Sequence, residues 1–198
     1  DQYSLGELRA SHEQNLILAD VKLSELFALW QKANAAALAT PNTGLITDII
    51  CCPGGDLCSL AKARSVPVAH AVQKRFDDID YQLDLGEIDL NISGCMNSCS
   101  HHHVAHLGIL GVEKEGAEWY QISLGGAQGN EAAIGTVIGR AVPAPEVPDV
   151  VEQIIRVFVE HREGDERFID VVHRIGLDPF RARVYGSVGA ANEEVKNV

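Results

Sequence analysis

The segment Ile92-Ser93-Gly94-Cys95-Met96-Asn97-Ser98-Cys99, read with the earlier Cys52-Pro53-Gly54-Gly55-Asp56-Leu57-Cys58, decides the architecture. Each pair of cysteines follows a predicted strand. Leu45 to Ile50 is a short apolar run that delivers Cys51 and Cys52 at its end. Leu83 to Ile92 alternates apolar and polar residues, with one slip at Gly86-Glu87, before Ser93-Gly94-Cys95. A strand end followed by a glycine-containing loop therefore occurs twice. Gly54, Gly55 and Gly94 lack Cβ, so the backbone there can turn sharply and aim N–H groups at the sulfurs.

Two loops with two thiolates each match the ligand number of one cubic [4Fe-4S] cluster. Hydrogen bonds to the sulfurs would stabilise the anionic cluster and raise its potential. The gaps within the pairs are five and three residues. Structural zinc sites space paired cysteines by about two to four residues, so a non-catalytic four-cysteine zinc module is a second reading. A cluster-only electron carrier, a pair of disulfides and plain buried cysteines are others. Cys51 is the odd thiol and reads as a small buried hydrophobe.

Outward from these loops, residues 5–18 end in the apolar run Leu16-Ile17-Leu18, read as a strand. A helix is predicted from Val21 to Leu38, with Ser24 as a cap and Leu23, Leu26, Phe27 and Trp30 on a face assigned to the core. Thr40-Pro41-Asn42-Thr43-Gly44 is turn chemistry and divides the chain into domains 1–43 and 44–198. A helix follows from Ser59 to Phe76. A hairpin around Glu115-Gly116 joins His106–Val112 to Trp119–Leu124. Pro143, Pro145 and Pro148 form a stiff connector to closing helices at Val150–Glu160 and Arg167–Ile175. The fold class is α/β (α+β), a mixed sheet with flanking helices.

Composition narrows the function. At 46% hydrophobic, 198 residues bury a core without needing disulfides or metal to hold it. A net charge of −12 argues against nucleic acid as a partner. No run approaches the roughly 18 apolar residues of a membrane span. Five cysteines without a secretory segment read as reduced thiols or metal ligands in a cytoplasmic protein. The chain begins at Asp1 with no initiator Met, as expected of a processed chain or a piece of a longer one.

The double motif, Cys-x5-Cys and then Gly-Cys-x-Asn-x-Cys, resembles the assimilatory sulfite and nitrite reductases, a sirohaem and [4Fe-4S] family. Met96 stands where that family usually has Pro. His106-Leu107-Gly108-Ile109-Leu110-Gly111 through Tyr120-Gln121-Ile122-Ser123-Leu124-Gly125-Gly126 is similar to the family pattern as well. So is Leu8-Arg9-Ala10-Ser11-His12-Glu13-Gln14-Asn15-Leu16, which looks like the start of the family's second ferredoxin-like half-repeat.

The resemblance implies that Cys52, Cys58, Cys95 and Cys99 each bind one iron and that Cys99 also bridges to the sirohaem iron. It implies six-electron reduction of sulfite to sulfide, with nitrite to ammonia as the alternative substrate reaction. Residues 1–43 would be part of a ferredoxin-like half-domain and 44–198 the sirohaem and cluster domain. The family clamps its anions with Arg and Lys that come largely from the first half of a pseudo-symmetric protein. This chain looks like the second half only, and its 16 Lys and Arg lie scattered among 28 Asp and Glu. Turnover is therefore expected to require the N-terminal half of the same enzyme. The electron donor is a flavoprotein or a ferredoxin, and the acidic balance leans toward the flavoprotein or toward docking on the other half.

Other residues carry two readings each. Asn97 is placed to bond a sulfur or cofactor, or simply to make a turn. Arg9, Gln14 and Asn15 reach a sirohaem carboxylate or line a domain interface. Gly125-Gly126 packs on the macrocycle or ends a strand. His101, His102, His103 and His106 read chiefly as a polar loop and strand start beside the second cysteine pair, rather than as a proton relay.

Overall fold

The computed structural model describes residues 2–186, which fall into two units that meet at Thr43-Gly44. In the first unit, strands β1 (Arg9–Ala10) and β2 (Leu16–Ile17) pair antiparallel, Arg9 opposite Ile17. A 3-10 turn at Leu23–Glu25 leads into helix α1 (Leu26–Ala35). Ser24 lies inside that turn and caps nothing; the residues before the two helical segments are Lys22 and Glu25. The expected core stripe is also corrected. Leu23, Leu26, Phe27 and Trp30 are all exposed, and the Phe27 and Trp30 rings stack on each other at 5.6 Å. Helical spacing gathers apolar residues on one face but does not supply anything to bury that face against.

The second unit is built on a six-stranded mixed sheet. Strand β3 (Ile50–Cys51) is followed by helices α2 (Val66–Arg75) and α3 (Ile79–Leu85), and then by β4 (Leu90–Ser93). The long hairpin of β5 (Leu107–Lys114) and β6 (Ala117–Leu124) completes the sheet centre. Its turn places Glu115 at φ 54° and Gly116 at φ 76°, the left-handed pair that a two-residue turn between twisted strands requires. Short strands β7 (Thr136–Val137) and β8 (Val142–Pro143) both pair with β6. The order is β3-β4-β5-β6, with β3, β4 and β5 parallel and the remaining pairings antiparallel.

Helix α4 (Val147–His161), with α5 (Phe168–Ile175) and α6 (Asp178–Tyr185), supplies most of the helical core. Val147, Val151, Ile154, Ile155 and Phe158 recur at three- and four-residue spacing and are completely or nearly completely buried. Phe158, Phe168 and Phe180 meet edge to face at 5.4 and 6.4 Å. Pro148, read as connector, sits in the first turn of α4, where its missing N–H costs nothing.

Two predicted elements begin later than expected. The helix expected from Ser59 starts only at Val66, because residues 59–65 form a loop whose backbone bonds elsewhere. The strand expected over residues 83–92 holds only from Leu90, in β4, and residues 83–85 are instead the end of α3. The Asp78 carboxylate accepts N–H bonds from Asp80 and Tyr81 at 3.0 and 3.2 Å, starting the helix. Gly86, at φ 77°, ends it. Buried Gln82 then locks α3 down, donating to the Phe76 carbonyl and accepting from Thr47 Oγ1, both at 2.6 Å.

Candidate functional site

Adjacent parallel strands β3 and β4 bring the two cysteine pairs to one end of the sheet. Cys51 lies opposite Ile92, so Cys52 and Cys95 follow from neighbouring strand ends. Cys52 N–H donates to the Ile92 carbonyl at 3.1 Å, extending the ladder by one bond. The chain after Cys52 then tightens into a 3-10 turn at Gly54–Asp56, and Cys58 N–H donates to the Gly54 carbonyl at 2.9 Å.

The two loops are stitched together by backbone. Lys62 and Ala63 N–H groups both donate to the Gly94 carbonyl, at 2.8 and 3.0 Å, and Gly55 N–H donates to the Ala63 carbonyl at 3.0 Å. This is why residues 59–65 are not helical. The contact is so close that only glycine fits at two points. A Cβ on Gly94 would stand 2.6 Å from the Ala63 carbonyl oxygen and 3.0 Å from Gly54 Cα. A Cβ on Gly54, whose φ is +61°, would stand 2.4 Å from Ser65 N.

Cys52 is buried, and its sulfur has two neighbours. Gly94 N–H donates to it at 3.1 Å, and Ser65 Oγ lies at 3.3 Å. Cys95 is buried, Cys58 half-buried and Cys99 exposed. The segment around Cys99 is held by β4: Ser100 Oγ donates to the Ile92 carbonyl at 2.5 Å and Asn91 Nδ2 to the Ser100 carbonyl at 2.8 Å. Ser98 and His101 both take left-handed backbone, at φ 54°. Leu57, Leu60 and Met96, which flank Cys58 and Cys95 in sequence, are strongly exposed, so an apolar lip accompanies the thiols. Among the described residues, no three His, Cys, Asp or Glu side chains converge as one metal ion requires. A cubane distributes its thiolates over four irons and does not ask for such convergence. Four soft sulfur donors on two stitched loops, one sulfur already receiving an N–H, have the donor chemistry of an iron–sulfur cluster.

The other singled-out residues fall as follows. Asn97 is exposed, and among the described residues its side chain makes no hydrogen bond to a cysteine sulfur. The group that donates to a cysteine sulfur is Gly94 N–H, and Ser65 Oγ, unforeseen, shares a hydrogen bond with the same sulfur. Cys51 is half-buried against the core, and burial pushes its thiol pKa up. Arg9 is exposed in β1 and pairs with Glu7 at 2.5 Å, whereas Gln14 turns the β1–β2 hairpin at φ 63°, and Asn15 N–H donates to Ser11 Oγ at 3.2 Å. Gly126 packs within its own chain, where a Cβ would meet the Ala105 carbonyl oxygen at 2.4 Å. His102 is buried against His103, and burial first, then that neighbour, lowers its pKa to about 4. His106 accepts the Asp89 N–H at 3.1 Å and is likewise shifted down by burial. The basic residues nearest in sequence to the stitched loops are engaged by carboxylates, Lys62 by Glu113 at 3.8 Å and Arg64 by Glu118 at 3.1 Å. No helix of the described residues is long and apolar enough to cross a membrane.

Known proteins resemble this chain in sequence and fold. The ferredoxin sulfite reductase of Mycobacterium tuberculosis (strain CDC 1551 / Oshkosh) is 30% identical over 184 residues, covering 88% of this chain and 33% of its own length. An assimilatory ferredoxin-dependent nitrite reductase of Haloferax mediterranei is 27% identical over 186 residues, covering 90% and 31%. The chain thus spans about a third of the length of the curated relatives it matches. The structure of the Mycobacterium tuberculosis NirA protein superposes with a TM-score of 0.73 at 28% identity, over 87% of this chain and 33% of that one. Dissimilatory sulfite reductase I superposes at 0.77 and 12% identity, over 92% and 62%, a likeness of fold alone. The family described as the nitrite and sulphite reductase 4Fe-4S domain matches residues 44–190. With three quarters of its length inside that match, and with cysteine loops at paired strand ends, the chain belongs to the sulfite and nitrite reductase family, oxidoreductases whose members carry a [4Fe-4S] cluster and sirohaem.

Proposed function

We propose that this chain is the sirohaem and cluster-binding half of a sulfite reductase. Residues 1–43 are then part of a ferredoxin-like half-domain, and residues from 44 onward the cofactor domain. The stitching of the two cysteine loops through the Gly94 carbonyl is the observation that carries the reading, because it presents two pairs of thiols from one rigid platform. Cys52, Cys58, Cys95 and Cys99 hold the cluster, one iron each. Cys99, the exposed member, would also hold the sirohaem. The exposed side chains of Leu57, Leu60 and Met96, close to Cys58 and Cys95 in sequence, would offer the macrocycle apolar surface. Gly94 N–H offsets negative charge on the Cys52 sulfur. When bound, the two cofactors supply electrons to a coordinated anion and a thiolate push that weakens its bonds to oxygen. Anion-clamping cations come from the N-terminal half of the parent protein.

Ferredoxin is favoured over a flavoprotein as donor, since the relatives' names specify it for both sulfite and nitrite. Those names also make nitrite the competing substrate. The test is an absorption spectrum of the complete protein, with iron and acid-labile sulfide counted on the same sample, followed by sulfide and ammonia assays with a reduced donor. Sirohaem bands, about four cluster irons and one haem iron per chain, and faster sulfide than ammonia production are expected. A colourless, zinc-containing protein would overturn the reading.

A further inference from the structure

Ser65 is the residue before α2, the place where a serine normally turns its hydroxyl onto the first free N–H groups of the helix. Here it makes no such bond. Its backbone is already helical, at φ −92° and ψ −44°, and Pro67 in the first turn offers no N–H. The hydroxyl points the other way, to Cys52 Sγ at 3.3 Å, its one hydrogen-bond partner among the described residues. Ser65 is fully buried between the two loops, its Oγ tightly packed near both Gly54 and Gly94. It is therefore a fully buried polar group, diverted from its customary structural task onto a sulfur.

We infer that Ser65 is a positioning residue that tunes the reduction potential of the cluster by hydrogen bonding to the Cys52 sulfur. The inference rests on the reading of Cys52 as a cluster ligand. Once Cys52 is a thiolate it has no proton to give, so the Ser65 hydroxyl is the donor, joining Gly94 N–H on the same atom. Adding one electron to a cluster raises the negative charge on its sulfurs. A donor there stabilises the reduced form more than the oxidised form and moves the potential upward. In a buried site the effect is not diluted by water. Removing the hydroxyl costs α2 no cap bond, so fold and redox effects separate.

The experiment uses the complete parent protein with its cofactors. Midpoint potential is read by electron paramagnetic resonance during a redox titration, with iron and labile sulfide counted alongside. Ser65→Ala is expected to keep the wild-type iron and sulfide content and to titrate at a lower potential. In the wild type, a hydroxyl proton that exchanges quickly into deuterium oxide is expected in the electron–nuclear double resonance spectrum of the reduced cluster, and it is expected to vanish in Ser65→Ala. An unchanged potential at full cluster content would overturn the proposal. So would a wild-type spectrum with no rapidly exchanging proton, a result that stands even if the variant fails to fold. Cys52→Ser tests the underlying reading separately. If that variant retains all its iron and an unchanged spectrum, Cys52 is no ligand, whatever Ser65 does.

Discussion

Replacing Gly94 by alanine isolates the contact on which the site depends. Gly94 does not have a left-handed φ, so alanine suits its backbone and any penalty is steric. The new methyl would lie 2.6 Å from the Ala63 carbonyl oxygen and 3.0 Å from Gly54 Cα, where carbon contacts prefer about 3.5–4.0 Å. Both obstacles are backbone and have no rotamer to change. The loops must part by about 1 Å, which breaks or stretches the bonds to the Gly94 carbonyl at 2.8 and 3.0 Å and the Gly94 N–H bond to Cys52 Sγ at 3.1 Å. Overpacking of this kind costs about 1–3 kcal/mol, and each weakened hydrogen bond adds about 1 kcal/mol. The sum is about 4–6 kcal/mol, a drop in Tm of roughly 8–24 °C for a chain of this size.

Gly86→Ala provides the control. Gly86 has φ +77° and ψ −157° and nothing within 4 Å of its missing Cβ, so that variant meets only backbone strain, about 1–3 kcal/mol. Thermal unfolding by circular dichroism, with iron and labile sulfide counts on the complete protein, compares the two. The Gly94 variant should melt lower and hold less iron, the Gly86 variant should keep its iron. Equal melting temperatures with equal iron would refute the claim that loop contact, not glycine flexibility, makes Gly94 necessary.

Asp78→Ala removes both side-chain bonds that start α3 and should cost about 1 kcal/mol in denaturant unfolding, without altering iron content. His102, with a folded pKa of about 4 against an ordinary 6.5, is neutral in the folded protein while the unfolded chain takes up a proton between those values. Its contribution is present above pH 6.5 and is lost as pH falls toward 4, by up to about 3 kcal/mol; His102→Gln should flatten the decline between pH 6.5 and 5 in paired melting curves. Cys99→Ser in the complete protein should abolish magnetic coupling between cluster and haem, and a coupled signal that survived unchanged would remove Cys99 from the bridging role.

The parts legible in the sequence were those fixed by local chemistry. Two cysteine pairs at strand ends could be read because β3 ends an apolar run, β4 alternates apolar and polar residues, and glycines follow both, and the Glu115-Gly116 hairpin because its turn residues admit few conformations. The misreadings have physical causes. Leu83 and Leu85 alternate with polar neighbours, as in a strand, yet Asp78 seven residues before Leu85 caps a helix and Gly86 stops it. The slip in alternation at Gly86-Glu87 marked the true boundary. The apolar stripe of α1 identifies a sticky face but not its cover. Ser65 and Ser100 carried no signal at all, since a serine's partner across 13 residues or on a neighbouring strand depends on tertiary placement.

Exposure along the motif supplies the last step. Cys52 and Cys95, each just beyond a strand end, are buried; Cys58 is half-buried; Cys99, last in the chain, is open. A structural metal site gains by closing all of its ligands away from water. Here the outermost thiol is left open while Ser100, next to it, is fixed through its hydroxyl and carbonyl to β4. These bonds anchor the residue that follows Cys99 to the sheet. Leu57, Leu60 and Met96 give the cysteine loops an apolar edge that a small, isolated cluster carrier would have reason to avoid. An exposed thiol on loops with exposed apolar neighbours suits a second, large and flat partner group, which is what the proposed two-cofactor reading expects of Cys99.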